Sequence, residues 1–143
     1  MLTMESAMEK DLLKKRIDVA AGRIPADLVI KNCKIVDVYN SSIIEDKSIA
    51  VSDGFIAGIG EYEGIHVIDA EGQYAVPGFI DGHIHIESSY VTPEEIGRLL
   101  VPHGTTTIIA DPHEIVNVCG MNGLNYMLDA SKGTVLDILS MLP

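Results

Sequence analysis

The sequence predicts an α/β protein in two parts: a small β-sandwich-like region, then the first strands and helices of a truncated (β/α)8, TIM-type barrel. Three observations predict it. From Ala26 to Val76, short apolar runs alternate with turn residues at close spacing, which suits a small sheet better than βαβ units. Beyond Pro77-Gly78 the pattern becomes strand, helix, strand, helix, strand, with the largely apolar strands of a parallel sheet. A closed barrel of this kind needs about 250 residues. The 143 residues here supply only three of its strands, so the chain is expected to be an N-terminal fragment of a larger protein.

Each element has its own signal. In residues 1–25, Met4, Met8, Leu12, Leu13, Ile17 and Ala20 recur at helical spacing and predict a helix with one apolar stripe packed on the body of the protein. A partner-binding face is the alternative use of that stripe. Ser6-x-x-Glu9 is a candidate capping box, and Gly22 and Pro25 are stop signals. In residues 26–76, strands are expected at Asp27–Ile30, Lys34–Val38, Lys47–Val51, Phe55–Ile59 and His66–Asp69. Asn40-Ser-Ser and Asp53-Gly54 supply turns between them. In residues 77–143, Phe79–His85 forms the first barrel strand. Thr92-Pro93-Glu94-Glu95 then starts a helix that Gly104 ends, with Thr92 as its N-cap. Thr105–Ala110 is the second strand, Met121–Ala130 a second helix closed by Gly133, and Val135–Leu139 the third strand.

Charge narrows the function. The chain carries 21 acidic against 10 basic residues, a formal charge of −11, and after Lys47 only Arg98 and Lys132 are basic. A nucleic-acid surface needs clustered cations to neutralise phosphates, and a membrane-surface helix needs the same, so neither partner is expected. No apolar run approaches the roughly 18 residues of a transmembrane helix. Charged residues interrupt the N-terminus, which excludes a secretory signal. Cys33 and Cys119 match no paired-thiol motif and are expected to be reduced, in a cytoplasmic protein.

His83-Ile84-His85 carries the sharpest chemistry. Residues two apart on a strand share a face, so the two imidazoles project together and can grip a transition metal. The flanking Phe79, Ile80, Ile84 and Ile86 are apolar, so this strand is expected to be buried, with its histidines at the C-terminal end where such barrels place their sites. Asp111-Pro112-His113-Glu114 follows the second strand on that same face, and its side chains offer a ligand, a proton carrier or an orienter of a ligand histidine; the alternative is a turn with solvated polar groups. Glu87 has two readings: it continues the alternation of His83 and His85, or it is a loop carboxylate that accepts backbone hydrogen bonds. His85-Ile86-Glu87 also matches half of the signature of the small zinc-dependent nucleobase deaminases, but the P-C-x-x-C partner is absent from the sequence. His66 and His103 are not site candidates.

Ala75-Val-Pro-Gly-Phe-Ile-Asp-Gly-His-Ile-His resembles the first barrel strand of the amidohydrolase superfamily, in which a small β-sandwich precedes that strand. Ile17–Asp27, His83-Ile-His-Ile-Glu-Ser-Ser and Asp111-Pro-His-Glu-Ile-Val-Asn-Val resemble its adenine deaminase branch more narrowly. The resemblance implies purine metabolism: hydrolytic deamination of adenine, a small-molecule purine base, to hypoxanthine and ammonia, with metal-activated water attacking the carbon that bears the amino group. It implies His83 and His85 as metal ligands, Asp111, His113 and Glu87 as catalytic residues, and a binuclear Mn or Fe centre, with Zn as the alternative. The remaining ligands belong to strands absent here, so this chain alone is expected to be inactive, with sticky sheet edges, in a protein that forms a homo-oligomer. Two other readings stay open: cleavage of a cyclic amide on the same scaffold, as in dihydroorotase- and hydantoinase-like enzymes, and a non-catalytic metal-binding module.

Overall fold

The computed structural model of the chain describes the backbone of residues 4–142 and the side chains of residues 8–142. It divides into two compact units, Met1–Val76 and Pro77–Pro143. The Ser6-x-x-Glu9 capping box and the stripe position Met4 involve side chains outside the described residues.

The first unit opens with helix α1 (Met4–Ala20), followed by β1 (Ala26–Lys31), β2 (Lys34–Asp37), β3 (Ser42–Ile44), β4 (Ser48–Ser52), β5 (Phe55–Gly60), β6 (Gly64–Asp69) and β7 (Tyr74–Ala75). Four of them form a sheet in the order β5-β4-β1-β6, with β1 antiparallel to β4 and parallel to β6. The other three form a sheet in the order β3-β2-β7. Strands β3 and β7 were not expected; at three and two residues they are too short to show a period. Val19, Ala26, Val29 and Ala50 make one buried cluster, and Cys33, Ile35 and Ile49 a second.

Helix α1 lies on the sheet by a different face from the one expected. Leu13 and Ile17 are 56% and 52% exposed, while Val19 is fully buried. The reason is electrostatic. Lys15 Nζ reaches Asp27 at 3.0 Å and Asp53 at 2.7 Å, and the Arg16 guanidinium stacks 3.8 Å over the Phe55 ring. Those partners turn the Leu12, Lys15, Arg16 and Val19 side inward, because long cationic side chains bury their stems while their heads find counter-charges.

The second unit runs β8 (Phe79–Ile84), α2 (Pro93–Leu100), β9 (Thr105–Ala110), α3 (His113–Cys119), α4 (Met121–Ser131) and β10 (Asp137–Ser140). The strands form one parallel sheet in the order β10-β9-β8. Ile108 and Ala110 of β9 pack with Ile86, Ile96, Met127 and Leu136, so the helices cover one face of the sheet. Gly104, at φ 94°, turns the chain from a short 3-10 turn (Val101–His103) into β9, in a left-handed conformation that a side chain would oppose.

One expectation for this unit is corrected, and one element is additional. Strand β8 is not buried: Phe79 and Ile80 are 61% and 67% exposed, because β8 is the sheet edge and only one face carries helices. Residues 113–119 form a helix that was not expected from the sequence; Pro112 and Glu114 just ahead of Ile115-Val-Asn-Val are its helix-start pattern. Thr92 occupies the N-cap position of α2 with Pro93 behind it, as expected, without a side-chain capping bond. Among the described residues, no helix is long and apolar enough to cross a membrane.

Candidate metal centre

The centre is assembled where β8 and β9 end side by side. Strand β8 stops at Ile84, so His83 is its penultimate residue and His85 stands one residue beyond its end. The register between β8 and β9 slips between Asp81 and Ile84, where three steps on β8 match two on β9. Bulges of this kind re-aim side chains beside functional sites. The Asp81 carboxylate accepts the His83 amide at 3.1 Å in the stretch that the ladder leaves out.

His83 and His85 are brought together, with their Nε2 atoms 3.2 Å apart. His85 Nδ1 lies 2.9 Å from the Asp111 carbonyl oxygen. A carbonyl only accepts, so Nδ1 of His85 must carry the proton and its Nε2 presents a bare lone pair toward His83. An imidazole held through its far nitrogen in this manner is the arrangement metal-ligating histidines show.

The second motif falls in the same place. The Asp111 amide donates to the Ile84 carbonyl at 2.9 Å, which draws the end of β9 to the end of β8. The Asp111 carboxylate accepts His113 Nδ1–H at 3.0 Å and the His113 amide at 3.3 Å. That hydrogen bond from His113 holds the Asp111 carboxyl below its ordinary value, and Asp111 in turn raises the His113 imidazole. The rings of His83 and His85 lie 4.9 Å apart, and those of His85 and His113 4.7 Å apart, both edge to face. Possible ligand atoms of His83, His85 and Asp111 lie within 4.8 Å of one another, and so do those of His85, His113 and Glu114.

Glu87 takes the second of its two readings. It leaves the strand and opens a 3-10 turn (Glu87–Ser89), and its Oε1 accepts the Ile115 amide at 3.2 Å. The strand period therefore does not reach it. Two participants were missed from the sequence: the Asp111 backbone carbonyl, which no side-chain pattern reveals, and Ser88, whose hydroxyl donates to Glu114 Oε1 at 2.7 Å. The Glu-Ser-Ser after the histidines was the available signal for Ser88. His66 is exposed on β6 and His103 ends a 3-10 turn, and neither joins these clusters.

These residues fit a divalent metal ion. Two metal–imidazole bonds sum to about 4 Å, more than the gap between the two Nε2 atoms, so one ion reaches both. A carboxylate stands beside them and one ligand already has its tautomer fixed, a donor set that suits Zn, Fe or Mn.

Comparison with known proteins agrees with this chemistry. Residues 74–143 match the family described as Amidohydrolase family. Over 95% of its length the chain is 66% identical to a protein named adenine deaminase 2 from Desulfotalea psychrophila, covering 23% of that relative. It is 59% identical to an adenine deaminase from Ligilactobacillus salivarius and 56% identical to one from Bacillus subtilis, covering 24% and 23% of them. The chain thus spans about a quarter of the length of the curated relatives it matches. With the histidine pair inside the matched stretch, residues 74–143 carry the match to the amidohydrolase family, and nearly all of the chain is similar to proteins named adenine deaminase.

Proposed function

We propose that the protein represented by this chain hydrolyses adenine to hypoxanthine and ammonia at a metal centre begun by His83 and His85. The observation that carries the reading is the convergence of their Nε2 atoms at 3.2 Å beside the Asp111–His113 pair. The names of the relatives, at 54–66% identity, supply the substrate.

A divalent ion in such a site supplies Lewis acidity and lowers the pKa of water toward neutrality, which makes a nucleophile available at pH 7. The chain's own residues do the rest. His83 and His85 hold the ion, and the Asp111 carbonyl keeps the His85 proton on Nδ1 so that Nε2 stays a ligand. His113 keeps a proton at Nδ1 against the Asp111 carboxylate, so the pair can pass a proton toward the departing nitrogen. The centre is binuclear in this reading, holding Mn or Fe with Zn as the alternative, as the resemblance to the adenine deaminases implies; His85, with one nitrogen free, would serve only one of the two ions. Strands β8, β9 and β10 then begin a (β/α)8 barrel, with the site at the C-terminal ends of the first two strands. A purine base is the partner, and the free thiols of Cys33 and Cys119 suit the cytoplasm.

The test is adenine turnover by a protein of the relatives' full length that contains this segment, with Mn, Fe or Zn supplied. Hypoxanthine and ammonia should appear at equal rates, and His83→Ala should remove both the turnover and bound metal. A folded, metal-loaded wild type that leaves adenine untouched would end this reading in favour of a cyclic amide substrate.

A further inference from the structure

We infer that Glu87 and Ser88 are positioning residues of the metal centre, which clamp the first turn of α3 to the loop after β8 and so fix Asp111 and His113 beside His85. The inference rests on the metal-binding half of the proposed function and not on the choice of substrate. Helix α3 begins badly capped on its own. Its N-cap is Pro112, which offers no side-chain acceptor, and no capping bond is made there. The first amides of any helix still need acceptors. Glu87, 28 residues earlier, supplies one: its Oε1 takes the amide of Ile115, the third residue of α3, where an N-cap side chain would ordinarily bond. The positive end of the helix dipole favours a carboxylate in that place.

Ser88 adds a second link, from its hydroxyl to Glu114 Oε1 at 2.7 Å, and Glu114 belongs to the group formed with His85 and His113. Ile86, fully buried, shares an apolar cluster with Ala110 of β9, against which Ile115 of α3 packs. The bond from His85 Nδ1 to the Asp111 carbonyl lies between these attachments. If α3 swings away, that carbonyl swings with it, and His85 loses the acceptor that defines its tautomer. The clamp therefore acts on the metal through a ligand's far nitrogen.

Glu87 Oε2 is enclosed and has no hydrogen-bond partner among the described residues. This gives the rival role, a proton acceptor in the reaction itself, a concrete form. Glutamine separates the two: it keeps an acceptor for the Ile115 amide and cannot take up a proton.

The experiment measures Mn affinity by calorimetry on the metal-free, full-length protein, together with kcat and KM for adenine. Glu87→Met, which keeps the volume but removes the acceptor, should weaken Mn binding about 10- to 100-fold, the usual effect of losing a residue that orients a ligand. Glu87→Gln should recover most of that affinity and most of kcat. Ser88→Ala should weaken Mn binding in the same direction with KM little changed. Glu87→Gln as damaging as Glu87→Met, or Glu87→Met with unchanged Mn affinity, would overturn the positioning role. Should Glu87→Met fail to fold, unchanged Mn affinity in Ser88→Ala overturns it instead. A wild type that binds Mn but ignores adenine defeats the substrate reading alone, and the affinity comparison still decides this one.

Discussion

At the scale of single residues, the molecule settles protonation states by giving one ring nitrogen or one carboxylate a partner of fixed character. His85 faces a carbonyl, which only accepts, so its Nδ1 carries a proton. Asp27 is the counterpart in the first unit. The Asp53 amide first, then the Lys15 ammonium, hold its carboxyl below the ordinary 3.8. A lowered carboxyl stabilises the fold above its ordinary value and loses that contribution as pH falls through the folded-state value. Lys15, raised above 10.5 chiefly by its hydrogen bond to Asp53, contributes below 10.5 and loses its share above it. Asp27→Asn should therefore lower the thermal midpoint at pH 7, with the gap from wild type closing below pH 3.8. Melting curves by circular dichroism across pH 2–8 check this, and a gap that persists at the acid end would remove the cluster from the account.

At the scale of elements, much was legible in the sequence, and what was not has identifiable causes. The five longer strands of the first unit and the three of the second announce themselves because apolar runs between turn residues have few other uses. The face that α1 buries was not legible, because Lys15 and Arg16 reach partners on β1, the turn after β4 and β5, which no local pattern contains. Helix α3 was hidden for another reason: its cap is Glu87, far back in the chain. The histidine pair needed only the strand period, whereas its nearest supports are a carbonyl and a serine that period does not single out. Strand β9 is the element on which the second unit depends. Ile108, at its centre, is fully buried among the helices. Ile108→Ala should cost about 2–5 kcal/mol, the usual price of a large-to-small change at such a position. Urea unfolding with an unchanged slope measures it, and a loss below about 0.5 kcal/mol would mean that the core collapses around the gap.

At the scale of the whole molecule, exposed apolar surface dominates. Phe79 and Ile80 on edge strand β8, and Leu139 on edge strand β10, are each more than half exposed. Open parallel edges with apolar residues recruit other strands. The 143-residue chain should therefore associate as its concentration rises, and Ile80→Lys, which places a charge on the edge, should reduce that association. Light scattering across a concentration series decides it: a wild type that stays monomeric throughout would show that these edges are inert.

The slipped register in β8 has a mechanical consequence. Gly82 and His83 have no paired partners on β9, while His85 is held through the Asp111 carbonyl and the clamp behind it. The two histidines are thus anchored by different means: His83 by the Asp81 carboxylate of its own strand, His85 by the end of the neighbouring strand. A change that shifts the end of β9 therefore reaches His85 through the Asp111 carbonyl and leaves the anchorage of His83 in place.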